Sequence, residues 1–118
     1  MEHVKYEHCK KGSVVMELVE ITTENYEQEV ANFEGLVLLD FWAEWCNPCK
    51  VLMPVIEEVA REVNEIKFGK VNVDKNEKLA NQFAVTNIPF LVVLKNGEVQ
   101  NSSVGMKSKQ MILEMLNV

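Results

Sequence analysis

The 118-residue chain contains no long hydrophobic run, although 47% of its residues are hydrophobic. A helix that crosses a membrane needs about 20 consecutive apolar residues, and no stretch of this sequence approaches that length. The first seven residues also lack the apolar core of a secretory signal. We therefore expect no contact with a membrane and a location in the cytoplasm.

Clusters of basic residues are also missing. The chain has 12 lysine and arginine residues against 18 aspartate and glutamate residues, which gives a net charge of −6. Proteins that bind nucleic acid present a basic patch or stripe, so we expect no nucleic acid among the partners. The acidic excess falls mainly in residues 1–35, which contain eight glutamates and three lysines. We interpret it as a solvated face.

No internal repeat, linker or low-complexity segment divides the chain, and its length suits one domain with a single core. The periodicity of the apolar residues indicates strands alternating with helices, followed by a β-hairpin. The predicted strands are 14–21, 36–42, 66–73, 90–94 and 98–104, and the predicted helices are about 22–33, 51–63, a short one opened by 74–77, and one from 108 onward. This order predicts an α/β fold with a mixed sheet and helices on both faces.

Cysteine is scarce, and two of the three cysteines form a C-x-x-C pair, Cys46 and Cys49. They lie where the apolar run 36–42 ends and the helical pattern of 51–63 begins. In the cytoplasm such a pair is catalytic or metal-binding more often than structural. Two thiols at a strand-to-helix junction therefore indicate a redox site.

The spacing of the two cysteines fits disulfide formation. Residues i and i+3 share one face of a helix, and the residue before a helix is free to turn its side chain inward. Pro48 suits the first helical turn, where no backbone N–H is needed. Free N–H groups and the positive end of the helix dipole favour a thiolate on Cys46. We expect Cys46 to attack and the more buried Cys49 to resolve the mixed disulfide.

Two charged residues interrupt predicted strands. Asp40 lies in the otherwise apolar run 36–42, where burial would raise its pKa and make it a proton acceptor near neutral pH. A purely structural carboxylate held by hydrogen bonds is the alternative. Lys70 shares a strand face with Ile66 and Phe68, so it either lies near Asp40 or extends to water.

A metal site is a further alternative for the cysteines. Residues 1–12 contain His3, His8 and Cys9, which could join Cys46 and Cys49 around zinc. The spacing matches no standard zinc pattern, so we predict no metal ligands.

Several short motifs occur in an order that resembles the thioredoxin family. They are Leu39–Cys46, Pro48–Lys50, Lys70–Asp74, Ile88–Pro89, Lys95–Glu98 and Val104–Gly105. The resemblance covers residues 14–118, which we interpret as a thioredoxin domain, and leaves 1–13 as an N-terminal extension that is either flexible or an edge strand.

The resemblance implies the thioredoxin fold and the reduction of protein disulfides by a monomer with no bound cofactor, recharged by a thioredoxin reductase. It implies that Cys46 is the nucleophile and Cys49 the resolving thiol, with Asp40 as a buried acid–base group beside Lys70. It also implies a cis peptide bond before Pro89. The substrate-binding rim would then consist of Trp45, Asn47, Pro48, Ile88 and Gly105.

The chain departs from the family pattern at three places. Asn47 replaces the usual glycine between the cysteines, Phe90 replaces the usual threonine after Pro89, and the extension carries Cys9. Because the two residues between the cysteines tune the redox poise in this family, an oxidant or isomerase tuned by Asn47 is an alternative function. A non-enzymatic binding or zinc module is the other.

Overall fold

The computed structural model describes residues 18–117. The expectations for the extension 1–13, for residues 14–17 of the first predicted strand and for His3, His8 and Cys9 lie outside those residues. The strands are β1 (Val19–Glu20), β2 (Leu36–Trp42), β3 (Lys67–Asn72), β4 (Phe90–Lys95) and β5 (Glu98–Val104), and the helices are α1 (Glu27–Ala31, a short π-helical segment), α2 (Asn47–Glu62), α3 (Glu77–Gln82) and α4 (Lys109–Leu116).

The five strands form one mixed sheet in the order β1-β3-β2-β4-β5. β3 runs parallel to both β1 and β2, whereas β4 is antiparallel to β2 and to β5. The central strand β2 therefore has neighbours on both sides, and its C-terminal end leads directly to the two cysteines. The predicted α/β class, with a mixed sheet flanked by helices, is confirmed.

Side chains of the central strands alternate between two hydrophobic clusters, one on each face of the sheet. Leu38 belongs to the cluster formed with α2 and α4, whereas Val37, Leu39 and Phe41 belong to the cluster formed with α1 and α3. This alternation follows from the two-residue period of a strand. It also determines that Asp40 and Trp42 lie on the α2 side of the sheet.

The hairpin between β4 and β5 forms at the predicted Asn96-Gly97 turn. Both residues have positive φ, 51° and 84°, as the tight two-residue hairpin turns require. The Asn96 side chain accepts a 2.8 Å hydrogen bond from the Gly35 backbone N–H, and the Asn96 N–H donates to the Gly35 carbonyl. The hairpin is thereby fixed to the loop that enters β2.

Two helix starts differ from the sequence pattern. The sequence of residues 74–77 predicts a capping box with Asp74 as the N-cap. That prediction is wrong, because α3 begins at Glu77 after Asn76 and has no side-chain cap. The segment predicted as helix 22–33 holds a turn and the short α1. Thr22 and Asn25 each accept a hydrogen bond from the backbone N–H of the other. These bonds close the turn, and α1 itself begins after Tyr26 with no side-chain cap.

Gly69 is packed too closely to tolerate a side chain. It lies in β3 between Val19 and Leu39 of the neighbouring strands. A Cβ atom there would lie 2.7 Å from Ile21 Cγ1 and 3.1 Å from Leu39 Cδ2. Both side chains are fully buried, so neither can move into solvent to relieve the clash.

We predict that Gly69→Ala lowers the free energy of unfolding by about 1–3 kcal/mol, because overpacking a filled core forces neighbours off their preferred positions. Denaturant-induced unfolding followed by circular dichroism measures the change. Ser102→Ala, on the exposed face of β5, is the matched control and should shift stability by less than about 0.5 kcal/mol. Alanine is intrinsically more favourable than glycine in a strand. A Gly69→Ala variant that is more stable than the wild type would therefore contradict the prediction and show that the side chains around Gly69 can accommodate a methyl group.

Candidate functional site

The two cysteines lie at the junction of β2 and α2. A turn follows β2, in which the Cys46 N–H donates to the Ala43 carbonyl at 3.1 Å. Cys46 is the N-cap of α2, and its sulfur accepts a 3.2 Å hydrogen bond from the Cys49 backbone N–H. The pair forms a disulfide with the two Cα atoms 5.3 Å apart. An N-cap is usually an oxygen-bearing side chain, and here a sulfur takes that place.

The two sulfur-bearing residues differ in exposure. Cys46 retains 5% of its surface and Cys49 retains none. Ala43 packs with both cysteines, and Ile88 and Val73 cover them from neighbouring loops. A substrate sulfur can therefore approach the pair only from the side of Cys46.

Asp40 is fully buried in the middle of β2, on the face toward α2. Neither carboxylate oxygen accepts a hydrogen bond from residues 18–117, and the buried Trp42 Nε1 two residues later also has no partner among them. An unpaired charge is costly in such surroundings. Burial therefore raises the pKa of Asp40 to about 7, and the nearby positive charge of Lys70 partly offsets that rise.

Lys70 is brought next to Asp40 by the pairing of the sheet. The two residues are opposite each other in the parallel register of β2 and β3. The Lys70 ammonium lies 5.9 Å from the centre of the Trp42 ring, and the residue is only partly buried. The structure thus combines both expectations for Lys70, since it lies near Asp40 and also reaches the surface.

Two loops beside the cysteines are joined by one backbone hydrogen bond. The Ile88-Pro89 peptide bond is cis, and the Pro89 carbonyl accepts a 2.8 Å hydrogen bond from the Gly105 N–H. Gly105 has φ +100°, a conformation that other residues rarely adopt. Phe90 turns away from this loop and packs with Phe41 in the cluster of α1 and α3.

The outer rim of the site is exposed and mainly uncharged. Trp45 is 67% exposed, and Asn47 and Pro48 are exposed as well. The Asn47 side chain makes no hydrogen bond with residues 18–117. The structure therefore brings the cysteines and the predicted rim residues together at the C-terminal end of β2. Asp40 and Lys70 lie side by side within β2 and β3, just before that end.

Two residues near the rim were missed by the sequence analysis. Asp74 accepts a 2.9 Å hydrogen bond from the Trp45 indole N–H, and Lys107 donates to the carbonyls of Val104 and Met106, which flank Gly105. The C-terminal ends of parallel strands lie at one edge of a sheet, so the nearness of Asp74 to Trp45 could have been inferred from the predicted strands. The contact of Lys107 depends on a loop conformation that no pattern predicts.

Residues 18–117 contain no cluster of three or more histidine, cysteine or acidic side chains arranged to hold a metal ion. The described part of the chain also has no helix long and apolar enough to span a bilayer.

Comparison with known proteins decides the family. A family model described as Thioredoxin matches residues 17–118. The thioredoxin of Bacillus subtilis (strain 168) is 44% identical over 103 residues, which make up 86% of this chain and 97% of that protein. The chain belongs to the thioredoxin family.

Two further thioredoxins show that the likeness extends across several bacteria. That of Buchnera aphidicola subsp. Schizaphis graminum (strain Sg) is 44% identical over 101 residues, or 85% of this chain and 94% of the relative. That of Chlamydia pneumoniae is 40% identical over 97 residues, or 82% and 93%. Thioredoxins are thiol–disulfide oxidoreductases that use a redox-active disulfide and carry no bound cofactor, and the Cys46–Cys49 pair gives this chain the same chemistry.

The raised pKa of Asp40 makes stability depend on pH. The folded carboxyl keeps its proton up to about pH 7, whereas the unfolded one loses it near pH 4. The folded state therefore binds more protons between these values, and its stability falls as pH rises through them. The full effect corresponds to about 4 kcal/mol.

We predict that Asp40→Asn removes this fall, so that the variant gains up to about 4 kcal/mol on the wild type between pH 4 and pH 8. Urea unfolding of the oxidised protein at a series of pH values measures the difference. The buried amide introduced by the substitution changes the free energy of unfolding by an amount that does not vary with pH. The test is therefore the slope of that free energy against pH. Glu65→Gln, at an exposed position, is the control, and a parallel pair of curves for Asp40→Asn and wild type would refute the prediction.

Proposed function

We propose that this chain reduces disulfides in other proteins, with Cys46 as the nucleophile and Cys49 as the resolving thiol. The observation that carries this proposal is the position of Cys46, which caps α2 with its sulfur and is the more accessible of the two cysteines. The Cys49 N–H and the positive end of the α2 dipole would stabilise the negative charge of a Cys46 thiolate.

The reaction would proceed in two exchanges. The Cys46 thiolate attacks one sulfur of the substrate disulfide, so that a bond forms between them and the other substrate sulfur leaves as a thiolate. The Cys49 thiolate then attacks the Cys46 sulfur, forms the Cys46–Cys49 disulfide and releases the second substrate thiolate. The substrate gains two electrons, and the pair loses two.

Asp40 is proposed to accept the proton of Cys49 before the second exchange. It lies on the α2 face of β2, the strand that leads to the pair, and with a pKa of about 7 it is only partly ionised at neutral pH. A base whose pKa lies near the working pH is effective in both directions of proton transfer. Lys70 would be a positioning residue, since its charge limits how far the pKa of Asp40 rises.

The substrate is proposed to bind across the rim formed by Trp45, Asn47, Pro48, the Ile88-Pro89 loop and Gly105. Ile88 contacts the cysteine cluster directly, and the hydrogen bond between Pro89 and Gly105 holds the two loops together. Trp45 offers a large apolar surface, as residues that dominate binding interfaces usually do.

The partners follow from the chemistry. Each turnover leaves the pair oxidised, so a reductase that supplies two electrons is required, and we propose a thioredoxin reductase. A monomer in the cytoplasm would meet both this reductase and transiently oxidised proteins, because that compartment keeps most thiols reduced. Family membership supports these partners, and we propose residues 14–118 as the domain that meets them.

We predict opposite outcomes for the two cysteines when a protein disulfide is reduced with a small dithiol as the electron source. Cys46→Ser should lower the rate to that of the dithiol alone, because the accessible thiol of the pair is gone and Cys49 is fully buried. Cys49→Ser should accumulate a mixed disulfide between Cys46 and the substrate, because the resolving thiol is absent. Product formation and intact mass after alkylation measure the two effects.

Cys9→Ser serves as the matched control for these variants and should keep the wild-type rate. A Cys46→Ser protein that turns over at the wild-type rate would contradict the proposed function. A mixed disulfide that accumulates on Cys49 in Cys46→Ser would instead show that the two roles are exchanged.

A further inference from the structure

Trp45 is fixed in place despite its exposure. Two thirds of its surface is open to solvent, yet its indole N–H donates a 2.9 Å hydrogen bond to the Asp74 carboxylate. It immediately precedes Cys46 in the turn that leaves β2. An exposed side chain that is already held loses less conformational entropy when a partner binds it. The acceptor that holds Trp45 therefore matters for docking at the rim.

Asp74 lies in the exposed loop between β3 and α3, so its position depends on what holds that loop. The side chain of Asn72 holds that loop. Asn72 Oδ1 accepts hydrogen bonds from the backbone N–H groups of Asp74, at 2.9 Å, and of Lys75, at 3.3 Å. This is the turn that an asparagine side chain forms with the backbone that follows it.

Asn72 is itself firmly held by the sheet. It is the last residue of β3, is 4% exposed and pairs with Trp42, the last residue of β2. The loops that carry Trp45 and Asp74 thus leave adjacent strands at the same edge of the sheet. The contact between Trp45 and Asp74 depends on how each loop turns, and on the β3 side Asn72 sets that turn.

A second buried asparagine provides an internal comparison. Asn76 is 5% exposed; its Nδ2 donates to the Asn72 carbonyl and its Oδ1 accepts from the Thr23 N–H, both at 3.0 Å. It joins the loop to the segment after β1 and makes no hydrogen bond with Asp74 or Trp45. The two asparagines are equally buried, but only Asn72 bonds to the Asp74 backbone.

We propose that Asn72 is a positioning residue for substrate docking, because it holds Asp74 where that carboxylate fixes the indole of Trp45 beside Cys46. This inference rests on the proposed function, in which Trp45 forms part of the substrate-binding rim. Asn72 acts through Asp74 and Trp45 and touches neither the sulfur atoms nor the substrate.

The test uses the indole N–H resonances of the full-length protein in nitrogen-15-labelled form, with the Trp45 signal assigned by Trp45→Phe. Asn72→Ala should move the Trp45 signal toward that of a free, solvated indole. Asn72→Asp should restore it, because a carboxylate oxygen can accept the same two backbone N–H groups. Asn76→Ala should leave it in place.

Kinetics provide the second readout. With a protein disulfide as substrate, Asn72→Ala should raise KM about fivefold at an unchanged kcat, which is the effect expected for one lost positioning hydrogen bond. The rate with a small aromatic disulfide, which is too short to span the rim, should not change. Asn72→Asp should recover the wild-type KM, and Asn76→Ala should retain it.

A Trp45 signal that stays in place in Asn72→Ala would overturn the inference while leaving the proposed function intact. A signal that moves while KM does not would overturn the docking role, and absence of turnover in the wild type would instead defeat the proposed function. Should Asn72→Ala fail to fold, Asp74→Ala removes the acceptor of the Trp45 indole N–H from an exposed position. An unmoved Trp45 signal in that variant would overturn the inference equally.

Discussion

The hydrogen bond from the Cys49 amide to the Cys46 sulfur joins the chemistry of this chain to its fold. It requires α2 to begin at Asn47, and that start is possible because Cys46 adopts an extended conformation as the N-cap. The cap in turn depends on β2, whose neighbours on both sides fix where the strand ends. The redox pair is therefore held by a strand that is paired on both sides in the sheet.

The same strand carries the least favourable group of the core. Asp40 is fully buried, and neither of its carboxylate oxygens has a hydrogen-bond partner among residues 18–117. A valine or leucine at that position would pack without this cost, as its neighbours Leu38 and Leu39 do. The raised pKa of Asp40 is a physical consequence of that burial, and it gives the strand that leads to the cysteines the proton acceptor that the proposed function requires. Burial of Asp40 thus makes the folded protein less stable than it would be with an apolar residue at this position. The proposed function needs proton transfer at the same position.

Most of the strands and helices could be predicted from the sequence, because strong local signals agree with the tertiary structure. The apolar run 36–42, the C-x-x-C pair with Pro48 and the Asn96-Gly97 turn each specify one conformation. Signals that tertiary contacts override were less reliable. Residues 74–77 looked like a capping box with Asp74 as the cap, but the Asp74 side chain accepts a hydrogen bond from Trp45. The observed N-cap of α3 is Asn76, and its side chain is engaged with Thr23, 53 positions away in the chain.

Parts of the site could not be predicted because they depend on distant pairs. The contact between Trp45 and Asp74 spans 29 residues, and the bridge that Lys107 makes over Gly105 depends on the geometry of a loop. Asn47 illustrates the opposite case. Its place at the exposed start of α2 follows directly from the sequence, whereas its effect on the redox poise depends on the Cys46 thiolate, which the disulfide form does not contain.

The reduction potential of the Cys46–Cys49 pair distinguishes a reductase from an oxidant or isomerase. The protein would be equilibrated in graded dithiol–disulfide buffers, its free thiols trapped by alkylation and the two forms counted by mass. A general reductase should give a value near −270 mV, which is the value known for thioredoxin itself. A value of about −120 to −180 mV would contradict the account, because potentials in that range belong to oxidants and isomerases.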